Sequence, residues 1–220
     1  AGANTITATT GNNTIMTTGA GANTITATTG NNTITTGAGA DTITLTSGDN
    51  TIDAGDGANT ITATSGNNTI TSGAGVDTVT VTSGNNTIDV GDGANTVTAA
   101  WGNNVILGGD GIDTVTTGDG NNIIRVGNGA NTVTTGAGVD QIYTGVDIDT
   151  VTSGAGDDEI HILGGTDTIT AGAGTDTLFV DFSAAAGAVT ALFTSYFLFK
   201  SYDLSMFLNG ILGGLVAITA

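Results

Sequence analysis

A nine-residue unit of the form Gly-x-Gly-x-(Asn/Asp)-Thr-(Ile/Val)-Thr-x runs almost unbroken from residue 1 to about residue 180. From Gly19 onward the copies keep one register, as residues 19–27 and 73–81 show. A short fixed period is typical of a solenoid, in which each unit buries its apolar face only against its neighbours. The repeat therefore constrains the fold more than the length of 220 residues does.

Each unit has the composition of one short strand and one turn. Thr-Ile-Thr is β-branched throughout and favours a strand, whereas the glycines and the Asn/Asp position favour a turn. Two units, 18 residues, then form one coil with two strands on opposite sides. We expect an all-β, parallel β-roll of about ten coils over residues 1–180. An extra residue near Thr18 shifts the register once, and we interpret it as a bulge.

Strand alternation predicts which side chains form the core. The central aliphatic residue of each unit should point inward, from Ile25 through to Leu178, and the flanking threonines should point outward. The small residues Ala27, Ala63 and Ala99 share the inward parity. The core should therefore be thin and regular.

The composition excludes several classes of site and partner. The net charge is −18, and only Arg125 and Lys200 are cationic, which argues against nucleic acid as a partner. With no cysteine, the chain has neither disulfides nor thiolate metal sites. Every acidic residue except Glu159 is an aspartate. Aspartate suits tight turns and is a hard oxygen ligand for Ca²⁺.

The sequence offers little for catalysis. His161 is the only histidine, and its strand parity places it on the outer surface. Serines such as Ser65 and Ser72 lie at turn edges with no base near them in the sequence. We therefore predict that the protein is not an enzyme.

The unit resembles the RTX (repeats-in-toxin) nonapeptide Gly-Gly-x-Gly-x-Asp-x-U-x, where U is a large aliphatic residue. The second glycine of that pattern is matched by Gly21, Gly39, Gly57, Gly75, Gly93 and Gly111. Its aspartate is matched by Asp41, Asp77, Asp113, Asp140, Asp158 and Asp176. The resemblance implies Ca²⁺ held between turns, secretion without an N-terminal signal peptide, and an extracellular or cell-surface location.

The sequence departs from that pattern in its first two thirds, where Asn mostly replaces Asp. On one side of the coil the Asn run is uninterrupted and predicts a hydrogen-bonded amide ladder: Asn32, Asn50, Asn68, Asn86, Asn104 and Asn122. The predicted metal ligands are Asp77, Asp113, Asp140, Asp149, Asp158, Asp167 and Asp176. We expect Ca²⁺ mainly in residues 136–180. The alternative is that all these carboxylates are solvated turn residues.

One sheet carries Thr-x-Thr on every coil. Its central threonines are Thr24, Thr26, Thr42, Thr44, Thr60, Thr62, Thr78, Thr80, Thr96, Thr98, Thr114 and Thr116. This array resembles the ice-binding face of β-solenoid antifreeze proteins. It is also what repeat duplication would produce from a good strand residue, or a face that packs on a like neighbour.

The composition changes near Asp181, and residues 181–220 are predicted to be a separate hydrophobic segment. This segment holds the predicted assembly residues Phe193, Phe197, Phe199 and Phe207. It could cap the last coil, serve as a secretion signal or, least favoured, cross a membrane. It could also cover an apolar patch expected on the second sheet at Val105, Leu107, Ile123 and Tyr143, near Trp101.

Unless further residues precede Ala1, we expect the first coil to be uncapped, with a strand edge open to another chain. Our leading hypothesis is a secreted structural protein that stacks head to tail into a filament, surface layer or matrix. Self-association is the main partner interaction predicted, with a cell surface or ice as further candidates. The alternatives are an ice-binding module that uses the threonine face, and a repeat spacer from a large RTX adhesin or toxin.

Overall fold

The computed structural model describes residues 2–181, which form two ten-stranded parallel sheets. The odd-strand sheet contains β1 (Thr5–Ala8), β3 (Thr24–Ala27), β5 (Thr42–Leu45), β7 (Thr60–Ala63), β9 (Thr78–Val81), β11 (Thr96–Trp101), β13 (Thr114–Asp119), β15 (Thr132–Thr134), β17 (Thr150–Thr152) and β19 (Thr168–Thr170). The even-strand sheet contains β2 (Thr14–Thr17), β4 (Thr33–Thr36), β6 (Thr51–Asp53), β8 (Thr69–Thr71), β10 (Thr87–Asp89), β12 (Val105–Leu107), β14 (Ile123–Arg125), β16 (Gln141–Tyr143), β18 (Glu159–Ile162) and β20 (Thr177–Val180).

Each strand pairs with the equivalent strand of the next coil. Thr60 pairs with Thr78 and Ile61 with Val79, so equivalent residues lie 18 apart in the sequence. The prediction of an all-β β-roll with two strands per coil is thereby confirmed.

The extra residue near Thr18 lies in the turn between β2 and β3, not in a strand bulge as we expected. Thr5 pairs with Thr24 and Thr14 with Thr33, and both pairings continue through their strands without interruption. A turn can absorb one residue without breaking ladder hydrogen bonds, whereas a bulge leaves a residue unpaired.

The core consists of aliphatic side chains stacked along each sheet and packed between the two sheets. Ile25, Ile61, Ile106 and Ile142 are among its fully buried members, and Ala27, Ala63 and Ala99 are buried beside them. Leu178 pairs with Ile160 but remains 43% exposed, because no further described strand packs on β20.

Two kinds of turn join the sheets. We call the turns after odd-numbered strands corner one, and those after even-numbered strands corner two. At corner one Gly84 has φ 104, and a Cβ there would collide with the carbonyl oxygen of Gly66 in the coil below. Glycine is therefore required both by the backbone angle and by the close approach of successive coils.

No helix long and apolar enough to cross a bilayer occurs in the described part of the chain. The predicted assembly residues Phe193, Phe197, Phe199 and Phe207 lie outside the described residues.

Candidate functional site

Each corner carries a column of inward-facing Asn or Asp side chains, one per coil. Column one, at corner one, consists of Asn13, Asn32, Asn50, Asn68, Asn86, Asn104, Asn122, Asp140, Asp158 and Asp176. Column two, at corner two, consists of Asn4, Asn23, Asp41, Asn59, Asp77, Asn95, Asp113, Asn131, Asp149 and Asp167. From Asn23 to Asp158 every member of both columns is buried. Strand alternation produces this burial, because these positions share the parity of the core aliphatics.

In column one the asparagine side chains form a continuous hydrogen-bonded ladder. The amide of Asn50 donates to Oδ1 of Asn68 at 2.9 Å, and its backbone N–H donates to the same oxygen at 3.1 Å. The same amide also donates to the carbonyl oxygen of Gly48 at 2.6 Å. The pattern recurs from Asn13 to Asn122, whose amide donates to Asp140 Oδ1 at 2.9 Å. Each asparagine thus forms hydrogen bonds both within its own turn and to the next coil.

A second ladder lies outside column one, and our sequence analysis missed it. The backbone N–H of Asn103 donates to Oδ1 of Asn85 at 2.8 Å, and that of Asn85 donates to Oδ1 of Asn67 at 2.7 Å. These bonds run toward the N-terminus, opposite in direction to those of column one. The signal available in the sequence was the Gly-Asn-Asn triplet at corner one, whose two adjacent asparagines recur at a spacing of 18 residues.

Column two alternates between Asn and Asp. Asn59 donates its backbone N–H to Asp77 Oδ1 at 2.7 Å, and Asp77 in turn donates its N–H to Asn95 Oδ1 at 2.9 Å. The Asn59 amide donates to three carbonyl oxygens, those of Gly55, Gly57 and Ser72. Aspartate has no amide to make such bonds.

The buried aspartates are incompletely satisfied. Their Oδ1 atoms accept backbone N–H groups, but no described residue donates to Oδ2 of Asp41, Asp77, Asp113, Asp140, Asp149 or Asp158. A buried anionic oxygen without a donor is costly.

Burial is the main cause of the raised pKa of several of these carboxyl groups. It raises the pKa of Asp113 to about 6, against a backbone hydrogen bond with Asn95 that lowers it. Burial likewise raises the pKa of Asp77, Asp140, Asp149 and Asp167. Repulsion from Asp158 adds to the effect at Asp140, and repulsion from Asp167 adds to it at Asp149.

These carboxylates fit a divalent cation held between coils. Among residues 2–181 no group of three or more His, Cys, Asp or Glu side chains converges. A cation would therefore draw on aspartates of successive coils together with uncharged oxygen atoms. Ca²⁺ accepts such mixed sets of carboxylate and carbonyl oxygens. Successive aspartates occur at Asp140, Asp158 and Asp176 in column one, and at Asp149 and Asp167 in column two.

The family model of the RTX calcium-binding nonapeptide repeat matches residues 1–16, 17–52, 44–79, 80–115, 116–151 and 145–178. The chain belongs to the RTX calcium-binding nonapeptide repeat family. Membership supports Ca²⁺ as the ligand, and RTX repeat proteins are typically structural or binding proteins that occur among secreted proteins. No curated protein and no solved structure matches the chain.

The threonine face of this RTX β-roll follows the whole odd-strand sheet. In each strand from β1 to β19 the first threonine is exposed, and the second is exposed or half-buried. Strand pairing keeps the two rows in register, with Thr78 beside Thr96 and Thr80 beside Thr98. The face is therefore a regular, uncharged array with two threonines per coil.

The even-strand sheet carries an outward column of stacked side chains toward the C-terminus. The guanidinium of Arg125 lies 4.4 Å from the ring centroid of Tyr143. Tyr143 stacks on His161, and His161 on Phe179, each at 4.4 Å between centroids. His161 Nε2 also lies 2.7 Å from Glu159 Oε1.

The apolar patch expected on this sheet is only partly exposed. Val105, Leu107, Ile123 and Tyr143 are half-buried, whereas Trp101 is 57% exposed.

Proposed function

We propose that the chain is a structural β-roll of a secreted protein, acting outside the cell or at its surface by stacking on further coils. The main support for this proposal is that one interface repeats along the molecule. Every coil pairs with the next through equivalent positions. A coil from a second copy would meet the same donors and acceptors. Such a contact does not close on itself, and it builds filaments or layers.

Ca²⁺ supports the C-terminal coils in this proposal. In column one it would be held by Asp140, Asp158 and Asp176, and in column two by Asp149 and Asp167. The cation supplies positive charge between carboxylates that burial and mutual repulsion otherwise disfavour. Asp77 and Asp113 stand between asparagines and lack an acidic neighbour within their column.

Electron microscopy with Ca²⁺ and with chelator tests this proposal. We expect filaments or sheets with Ca²⁺ and their shortening or loss in chelator. Isolated short rods under both conditions would contradict stacking as the function.

A matched variant separates the metal from the stacking. Replacing Asp140, Asp158 and Asp176 by asparagine would extend the amide ladder of column one through the last coils. Assembly should then persist in chelator more than in the parent protein. If the variant depends on Ca²⁺ as strongly as the parent, the metal acts elsewhere.

The regular threonine array favours a second candidate, binding to ice. Regularly spaced methyl and hydroxyl groups in two rows offer a surface without charge. Thermal hysteresis and ice shaping test it, with Thr78→Tyr as the disrupting variant and Thr87→Tyr, on the even-strand sheet, as the control. Equal activity in both variants, or none in the parent, would remove this candidate.

A third possibility is that the repeats form a spacer within a larger RTX adhesin or toxin. Rod-shaped monomers that neither stack nor bind ice, together with a longer gene, would favour this role.

A further inference from the structure

The residue five positions before several of the buried aspartates lies beside the carboxylate. Gly108 shows this directly, because a Cβ placed there would lie 2.5 Å from Oδ2 of Asp113. The same relation holds for hydroxyl side chains. Ser72 helps to lower the pKa of Asp77, and Thr135 that of Asp140, each against the larger effect of burial. This preceding position is therefore a neighbour of the unsatisfied carboxylate oxygen.

The identity of this neighbour follows the identity of the column residue. A hydroxyl residue precedes Asp in the pairs Thr36/Asp41, Ser72/Asp77, Thr135/Asp140, Thr144/Asp149 and Ser153/Asp158. An aliphatic residue precedes Asn in the pairs Ala27/Asn32, Leu45/Asn50, Ala54/Asn59, Ala63/Asn68, Val81/Asn86, Val90/Asn95, Ala99/Asn104 and Val126/Asn131. Five pairs depart from this relation: Thr18/Asn23, Gly108/Asp113, Thr117/Asn122, Ile162/Asp167 and Ala171/Asp176.

In four of the five pairs the hydroxyl also bonds to a carbonyl oxygen of the next coil, whereas the Thr144 hydroxyl makes no such bond. Thr36 donates to the carbonyl oxygen of Ala54 at 2.6 Å, and Ser72 to that of Val90 at 3.1 Å. Thr135 donates to the carbonyl oxygen of Ser153 at 2.7 Å. A hydroxyl has one proton, so a hydroxyl that donates to the carboxylate and lowers its pKa, as Ser72 does for Asp77, gives up its bond to the carbonyl oxygen.

Each pair therefore places two oxygen atoms beside each other at a buried corner, where one hydroxyl proton serves both the carboxylate and a carbonyl oxygen. In the Ser72/Asp77 pair both residues are buried, and no described residue donates to Asp77 Oδ2. At the neighbouring Ala54/Asn59 pair, the equivalent buried corner carries no charge. There the Asn59 amide bonds to three carbonyl oxygens, and the alanine adds no oxygen atom.

We propose that the hydroxyl residue five positions before a buried aspartate is a ligand of the Ca²⁺ held by that aspartate. The hydroxyl–Asp pair then marks the corners at which a hydroxyl oxygen joins the aspartate as a ligand. The proposal rests on the proposed function and extends it to Thr36/Asp41 and Ser72/Asp77, far from the C-terminal coils. Asp167 and Asp176 follow Ile162 and Ala171, and therefore lack this ligand.

Calorimetric titration of Ca²⁺ into the chelator-stripped chain tests the proposal at one coil. In Ser72→Ala, we expect the Ca²⁺ affinity of one site to fall roughly tenfold or more, a loss typical of residues that support a metal site. The double variant Ser72→Ala/Asp77→Asn copies the natural Ala54/Asn59 pair. It should fold and bind one Ca²⁺ fewer than the parent. Ser65→Ala, which removes an exposed turn hydroxyl bonded to Thr46, is the control.

Melting curves separate a ligand from a merely structural hydroxyl. As a ligand, Ser72 contributes more with Ca²⁺ present, so Ser72→Ala should reduce the rise in melting temperature that Ca²⁺ produces. An equal loss with Ca²⁺ and with chelator, or unchanged Ca²⁺ affinity in Ser72→Ala, would overturn the proposal while leaving Ca²⁺ binding intact. A parent chain that binds no Ca²⁺ would overturn the proposed function as well.

Discussion

At the scale of single residues, the hydrogen bonding of the buried corners depends on one difference between Asn and Asp. The two side chains occupy the same buried positions and accept the same backbone N–H through Oδ1. They differ in the second atom, which is a donor in Asn and an anionic oxygen in Asp. Where that atom is an amide, as in Asn50, it bonds to the turn carbonyl and to the next coil. Where it is an oxygen, as in Asp77, it has no donor among the described residues.

The amide ladder should be a large local contributor to stability. Asn68 donates to the Gly66 carbonyl oxygen at 2.9 Å and to Asn86 Oδ1 at 3.0 Å. Asn68→Ala removes both bonds, and it leaves the backbone N–H and the amide of Asn50 without the Asn68 Oδ1 that accepts them. We therefore expect a loss of roughly 2–4 kcal/mol in unfolding free energy, measured in urea. Asn67→Ala, at the exposed neighbouring position, is the control and should cost less. Similar losses in the two variants would show that burial of the ladder is unimportant.

The buried carboxyl groups predict an unusual pH dependence for the metal-free chain. The folded pKa of Asp113, about 6, lies above its ordinary value of 3.8. The folded state therefore binds more protons than the unfolded state between these values, and stability is lost as the pH rises through this range. Melting temperature in chelator should increase on acidification from neutral pH toward about 5.

Asp113→Asn provides the matched variant for this titration. It should raise the melting temperature in chelator at neutral pH and reduce the dependence on pH. If the metal-free parent instead becomes steadily less stable on acidification from neutral pH to about pH 5, burial of these carboxyl groups is not the cause.

At the scale of strands and turns, successive coils approach each other most closely at glycine. Gly84 combines φ 104 with a Cβ direction blocked by the carbonyl oxygen of Gly66. Gly84→Ala should lower the unfolding free energy by about 2 kcal/mol or more, because backbone strain and a steric clash add together. Ser83→Ala, which removes one exposed hydrogen bond in the same turn, is the control for urea unfolding. Equal effects would mean that the turn relaxes freely.

The strands were predictable because their signal is local and periodic. Residue 25 and its equivalents are aliphatic at a fixed spacing, and alternation alone assigns them to the core. The outer Asn67–Asn85–Asn103 ladder was missed because it depends on which backbone N–H lies above each side chain. The hydroxyl–Asp pairs were missed for a related reason. Thr36 and Asp41 are separated by a turn, and only the folded corner brings this position against the carboxylate.

At the scale of the whole molecule, the charge of the buried columns differs along the chain. Column one is neutral from Asn13 to Asn122 and acidic from Asp140 onward. In hydrogen exchange, Ca²⁺ should therefore slow the amides of residues 136–181 most, because their carboxylates stack on successive coils. The corner-one amides of residues 32–122 provide the internal control and should change least. A uniform response along the chain would contradict this division.

The alternation in column two has a consequence for how such a chain can change in length. Loss of residues 42–59 would preserve every strand pairing but would set Asp41 directly against Asp77, two buried charges with no amide between them. Loss of residues 42–77 would instead bring Asp41 against Asn95 and restore the existing pattern. The geometric period is one coil, but the electrostatic period in this region is two. Without a bound cation, recombination can shorten or lengthen this part of the molecule without penalty only in steps of two coils.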